Sequence, residues 1–150
     1  MGRYLGIDYG MKRTGLAVSD PTKTIASPFT TVLTNDLHSF IESYISDEDI
    51  EGFVIGYPRQ MNNEPSESVR YINPFVKYLE KKYSDIPVFL VDERFTSKIA
   101  MQAMVSGGMK KQKRRDKANV DKISAAIILQ SFLDQKNPQS TVGNLKTRNP

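Results

Sequence analysis

The chain has 150 residues, 39% hydrophobic and 25% charged, which excludes fibrous, low-complexity and wholly disordered classes and fits one domain with a real core. It has no cysteine and a single histidine, His38, which removes disulfides, thiolate nucleophiles, zinc fingers and hydrolytic machinery built on several histidines. The net charge of +4 hides an acidic body: residues 1–107 carry eleven Lys or Arg against fourteen Asp or Glu, and the positive excess lies beyond them.

No apolar run reaches the eighteen or so residues of a membrane span, and the N-terminus passes straight into a strand pattern. A cytoplasmic protein with no membrane partner is expected. The pattern predicts a strand at Arg3–Asp8 and a second at Thr14–Ser19, joined by the turn-rich Tyr9-Gly10-Met11-Lys12-Arg13. A third extended segment covers Ile25–Leu33, rich in Thr and Val. Asn35 or Asp36 then caps a short helix through Tyr44. Gly52–Ile55 reads as a buried strand ending at Gly56-Tyr57-Pro58.

After a polar loop at Arg59–Pro65, a helix opens at Ser66 and ends near Tyr83, with Val69, Ile72, Val76 and Leu79 at helical spacing. Pro74 should kink it or mark its true start. Pro87–Val91 is another apolar strand, leading into Asp92-Glu93-Arg94. A helix follows from Thr96 or Ser97 to Gly107-Gly108, with Met101, Met104 and Met109 read as packing residues. The last helix spans about Asn119 to Gln135, and the tail 137–150 reads as disordered. Strands first, then strands alternating with helices, predict a mixed α/β sheet with helices on both faces. Both GFVIG and VFLV read as fully buried strands.

Residues 108–122 hold seven basic against two acidic side chains. A basic cluster on an acidic body points to a polyanionic partner. Lys110, Lys111, Lys113, Arg114 and Arg115 carry it, within a stretch, Met109–Lys117, that reads as a mobile loop gripping a nucleic-acid backbone.

Three acids interrupt apolar elements where charge is expensive. Asp8 ends the first strand, Glu93 follows the Val88–Val91 strand, and Asp121 opens the apolar helix 123–133. Ligands of open α/β sheets gather at strand carboxyl ends, and Asp121 shares a stripe with Ala125, Ile128 and Phe132 that should face the sheet. Three converging carboxylates suit Mg²⁺ or Mn²⁺, and with them phosphodiester hydrolysis that needs no nucleophilic side chain. Taken singly, each has a plainer role: Asp8 a turn former, Asp121 an N-cap or first-turn helix acid, Glu93 a surface partner of Arg94 or Lys98. Lys12 and Arg13 beside Asp8 read either as phosphate contacts or as solvated charges. Arg94 reads as a phosphate clamp or a neighbour of Asp92. Thr96 and Ser97 suit a helix cap or a phosphate seat. Gly10 and Gly15 read as turn formers or as points where a phosphate comes close to the backbone.

These residues also carry a resemblance. LGIDYG at 5–10 with Arg13-Thr14-Gly15, VIGYP at 54–58, DERFTS at 92–97 and VDKISAAIIL at 120–129 resemble the YqgF (RuvX) family, in order and spacing over about residues 3–135. Its members are bacterial Holliday-junction-resolvase-like proteins associated with pre-16S rRNA cleavage. The resemblance implies a single RNase H-like domain over 1–136, with a five-stranded mixed sheet in the order 3-2-1-4-5. It implies Asp8, Glu93 and Asp121 as the metal-holding catalytic acids, with two Mg²⁺ or Mn²⁺ ions. The family's usual GLP reads Gly56-Tyr57-Pro58 here.

The function expected is a nuclease that processes the 5′ end of pre-16S rRNA in ribosome biogenesis, in contact with structured RNA and a pre-ribosomal particle, as monomer or homodimer. Resolution of branched DNA is the alternative on the same site. A non-catalytic nucleic-acid-binding or ribosome-assembly factor would keep the same residues without turnover. Asp8-Tyr9-Gly10 with Thr14-Gly15 also resembles the first phosphate motif of actin-hexokinase ATPases, which close two such domains on a nucleotide. ATP binding separates that class from the others.

Overall fold

The computed structural model describes residues 2–57, 69–92 and 117–136. Strands β1 (Arg3–Asp8), β2 (Arg13–Ser19), β3 (Ala26–Leu33), β4 (Ile50–Tyr57) and β5 (Val88–Asp92) form one five-stranded sheet in the order β3-β2-β1-β4-β5. β4 pairs parallel with both β1 and β5, while β2 runs antiparallel to β1 and β3. Three helices are described: α1 (Leu37–Asp47), entered through the 3₁₀ turn Thr34–Asp36, then α2 (Val69–Lys82) and α3 (Lys117–Lys136). This is the sheet order that the resemblance implied. The expected strand at 52–55 is longer at both ends, and the final helix extends beyond the 119–135 expected. α2 is helical on both sides of Pro74, so the proline does not mark its start. The helix expected from Thr96, the basic stretch and the tail lie outside the described residues.

Alternation along the strands sorts side chains into two layers. Leu5, Ile7, Leu16, Phe53 and Ile55 face α1 and α2, where Leu37, Ile41, Ile72, Phe75 and Leu79 complete one core. Tyr4, Ala17, Val54 and Val91 face α3, where they meet Ala125, Ala126, Ile128, Leu129, Phe132 and Leu133. The apolar residues of α2 recur every three or four positions, and one face of that helix is accordingly buried.

One expectation fails. β4 is buried from Gly52 to Gly56, but β5 is not: Val91 is its one buried residue, and Leu90 is 50% exposed. β5 is an edge strand, and apolar composition does not tell an edge from a centre.

α3 lies unusually close to the sheet. A Cβ at Gly6 would stand 2.8 Å from the Leu129 Cβ and 3.0 Å from the Ala125 carbonyl oxygen. At Gly15 a Cβ would overlap the backbone carbonyl of Asp121 itself. Further along, the Ala26 N–H donates to Gln130 Oε1 at 2.9 Å and Gln130 Nε2 donates to the Thr24 carbonyl at 3.1 Å. At the C-terminal end, the Lys136 ammonium sits 5.6–5.8 Å from the ring centres of Tyr4, Phe89 and Phe132. These contacts fix the helix in register over β1 and β2.

Gly15→Ala should therefore destabilise the fold by about 3 kcal/mol or more, because a helix backbone must move to admit one methyl group. A compatible glycine would instead gain roughly 0.4–1 kcal/mol from the same change. Urea melts in chelator read the sign, and a neutral or stabilising result would mean that α3 does not rest on β2.

Candidate active site

Asp8 is the last residue of β1 and follows Tyr4 and Gly6 on the face toward α3. Its partner across the antiparallel pair is Gly15, the residue on which the Asp121 backbone rests. Strand register and helix seating thus converge on one point, where the Asp8 and Asp121 carboxylates come together. Burial is the main cause that raises the Asp8 carboxyl from its ordinary 3.8 to about 7, and the negative charge of Asp121 adds to it. Arg13, two positions from Gly15 on the same face, places Nε 3.4 Å from Asp121 Oδ2. Both side chains remain partly open to solvent.

The loop from Tyr9 to Lys12 joins Asp8 to Arg13 and is tied down at several points. The Tyr9 ring packs on Phe75 with 4.9 Å between centres. Gly10 makes a turn so tight that a Cβ would overlap the Arg13 carbonyl. The Thr34 hydroxyl donates to the Gly10 carbonyl at 2.6 Å, and the Thr34 N–H donates to the Lys12 carbonyl at 2.9 Å. Lys12 and Met11 stand exposed at the tip.

The RuvX family model, described as Holliday junction resolvase, matches residues 2–135. The chain belongs to the RuvX family. A Phocaeicola vulgatus protein is 56% identical over 136 residues, covering 91% of this chain and 98% of its own. One from Porphyromonas gingivalis is 55% identical over 134 residues, covering 89% and 97%. Both are provisionally named pre-16S rRNA nucleases. Among solved structures, Thermus thermophilus RuvC bound to a Holliday junction superposes with a TM-score of 0.54 at 16% identity, over 91% of this chain and 97% of that one. The Fowlpox virus resolvase with its junction DNA gives 0.52 at 11% identity, over 88% and 97%. At such identities the likeness is one of fold, the RNase H-like fold expected from the motifs.

Of the acids that the RuvX motifs single out, Asp8 and Asp121 are brought together, and Asp121 shares its stripe with buried Ala125, Ile128 and Phe132 as expected. Glu93 lies outside the described residues, as do Arg94 and Lys110, Lys111, Lys113, Arg114 and Arg115. Asp92 pairs with Tyr57, and parity places it on the α1/α2 face, since Phe89 and Val91 take the α3 face. Among the described residues, no three acids or histidines form a metal-sized group.

Arg13 is no merely solvated charge, because it is paired to Asp121. Tyr57, at the middle position of the usual GLP, donates its hydroxyl to Asn73 Oδ1 at 2.9 Å and so ties the end of β4 to α2. His38 is exposed as expected, yet its ring stacks on Tyr78 with 3.8 Å between centres. Sequence reading passed over Thr34 and Gln130. Their partners lie 24 and about a hundred residues away, beyond the reach of any local pattern.

The raised Asp8 carboxyl sets the sign of a pH effect. Folded Asp8 keeps its proton up to about pH 7, whereas an unfolded aspartate loses it near 3.8. Between these values the native state binds the extra proton, so stability falls as pH rises, and the penalty is complete above 7. Asp8→Asn should match the parent near pH 4 and exceed it at pH 8 by on the order of 3 kcal/mol in chelator. An equal gain at both pH values would remove charge as the cause.

Proposed function

We propose that this RuvX protein is a metal-dependent nuclease that hydrolyses phosphodiester bonds in nucleic acid, with the 5′ end of pre-16S rRNA as its substrate. The observation that carries this reading is the forced meeting of Asp8 and Asp121 in a half-buried spot where one of them is held to about 7. A fold does not keep two repelling carboxylates together for stability. The names of the 56% and 55% identical relatives support the substrate.

The donor set fits a hard divalent cation: carboxylate oxygens, with no cysteine in the chain and its one histidine stacked on Tyr78. Asp8 and Asp121 would hold Mg²⁺ or Mn²⁺, with Glu93 as the third acid and two ions as the full complement. Glu93 is assigned by its place in the DERFTS motif, next after Asp92, the last residue of β5. Bound there, such a cation would supply Lewis-acid activation of water and charge neutralisation at the phosphate.

The chain's own residues do the rest. Asp8 must release its proton to serve as an anionic ligand. Arg13 holds Asp121 in place and offers its remaining N–H groups to a phosphate oxygen. Lys12, exposed at the loop tip, grips the backbone beside it. Arg94 and the basic residues Lys110, Lys111, Lys113, Arg114 and Arg115 extend that grip along the substrate. Cleavage of branched DNA is the second reading, favoured by the description of the family model.

Purified protein assayed with Mn²⁺ on a precursor rRNA end, a four-way junction and a plain duplex should cut the first in preference. Asp8→Asn and Asp121→Asn should each lower the rate roughly a hundredfold or more, since the cation supplies several kcal/mol of charge stabilisation. Preference for the junction would favour the second reading. No cutting of any substrate would leave a binding factor.

Alanine at Lys110, Lys111, Lys113, Arg114 and Arg115 should weaken binding and flatten the slope of log affinity against log salt by up to about 4, as fewer counterions are released. An unchanged slope would take that stretch out of the interface.

A further inference from the structure

We propose that Thr34 is a positioning residue for this site: its hydroxyl locks the loop from Tyr9 to Lys12, and with it the spacing of Lys12 and Arg13 from the Asp8–Asp121 pair. This rests on the nuclease reading for its purpose but not for its geometry. Thr34 lies just past β3, at the same end of the sheet as Asp8, because Leu33 pairs with Arg13. Its hydroxyl has one proton, and the Gly10 carbonyl, 2.6 Å away, can only accept, so that proton is committed to Gly10. The Thr14 hydroxyl, 2.9 Å from the same oxygen, must then be the donor to Thr34. A directed chain results, from Thr14 through Thr34 to Gly10, and such chains strengthen each of their bonds. Thr14 is wholly buried, so its hydroxyl has no water to turn to.

The Thr34 N–H closes a second link, on the Lys12 carbonyl. The two carbonyls that flank Met11 are thus both drawn toward residue 34. In a planar trans peptide the N–H opposes the C=O, so the Met11 amide is turned away from the clamp, and Lys12 is displayed outward from a fixed backbone. The loop separates Asp8 from Arg13, which pairs with Asp121, and slack in it would loosen both.

Thr34→Val keeps the size and the backbone link but removes the hydroxyl, whereas Thr34→Ser keeps the hydroxyl and drops only a methyl group. Amide hydrogen exchange at the Thr34 N–H, which the clamp holds on the Lys12 carbonyl, should quicken about tenfold in the valine variant, the loss of roughly one hydrogen bond, and stay near the parent in the serine variant. Affinity for a labelled four-way junction or precursor RNA should weaken in the same order. In Mn²⁺ the valine variant should raise KM about tenfold with kcat changed less, because the acids themselves are untouched. Parental exchange and KM in Thr34→Val, or a serine variant as impaired as the valine one, would overturn the proposal. Should Thr34→Val fail to fold, Thr14→Val breaks the chain one step earlier and must show the same pattern, more weakly. A parent protein that exchanges as described but cuts nothing would count against the nuclease reading alone.

Discussion

Two like charges stay together at the end of β1 because a helix backbone lies directly on a strand that has no Cβ at the crossing point. Gly15 pairs with Asp8 on one side and carries the Asp121 carbonyl on its face, so the distance between the acids is set by packing rather than by any attraction between them. Side-chain contacts would leave such a pair free to swing apart. Backbone on backbone does not. The desolvation that mainly raises Asp8 to about 7, and the repulsion from Asp121 that adds to it, follow from a steric fact one residue removed from either charge.

The two faces of the sheet divide the work that this requires. Toward α1 and α2 the fully buried side chains are large: Leu5, Ile7, Leu16, Phe53, Ile55, Ile72 and Leu79. Each such residue contributes roughly 1.5–3 kcal/mol of burial, enough in sum to carry a local penalty elsewhere. Toward α3, Gly6, Gly15, Ala17, Ala125 and Ala126 bring the helix close, while Ile128, Leu129 and Leu133 are fully buried beside them. Gln130 and Lys136 add directed contacts, one to the backbone of the β2–β3 turn and one over three aromatic rings. Both faces are cores, but only the α3 face has the small residues that let a helix backbone come down beside Asp8.

What the sequence disclosed tracks the range of the interaction concerned. Asp8 and Asp121 stood out because each breaks an apolar run, and charge against hydrophobic periodicity is visible within a dozen residues. β5 was misjudged because being an edge is a property of the whole sheet: VFLV would look the same in the middle. Gly15 reads as a turn former or a point where a phosphate comes close, but what lies against it is the backbone of a helix more than a hundred residues later, which no local pattern shows. Thr34 gave no signal at all, since a threonine after a Thr- and Val-rich strand is unremarkable until Gly10 and Thr14 are seen beside it. Tyr57 was legible as a departure from the family's GLP, but its bond to Asn73 was not. Polar side chains declare their partners only in three dimensions.

The two carboxylates are relieved by different means, and the difference bears on how the site is used. Asp121 has the Arg13 guanidinium, which is fixed in charge and partly open to solvent. For Asp8, burial and Asp121 are the causes at work, and both push toward the protonated form. Near pH 7 the free site is therefore close to neutral: one acid ion-paired and the other half protonated. A phosphodiester meets less repulsion there than two bare carboxylates would offer, which helps a polyanion approach an otherwise acidic body. On the proposed reading, Asp8 must surrender its proton before its oxygens can serve a cation, so occupancy competes with protonation and strengthens as pH rises through about 7. On the same reading, a divalent charge at the pair would relieve Arg13 of part of its hold on Asp121 and leave its donors for a phosphate. Arg13 stands at the end of a clamped loop, so its place matters as much as its charge.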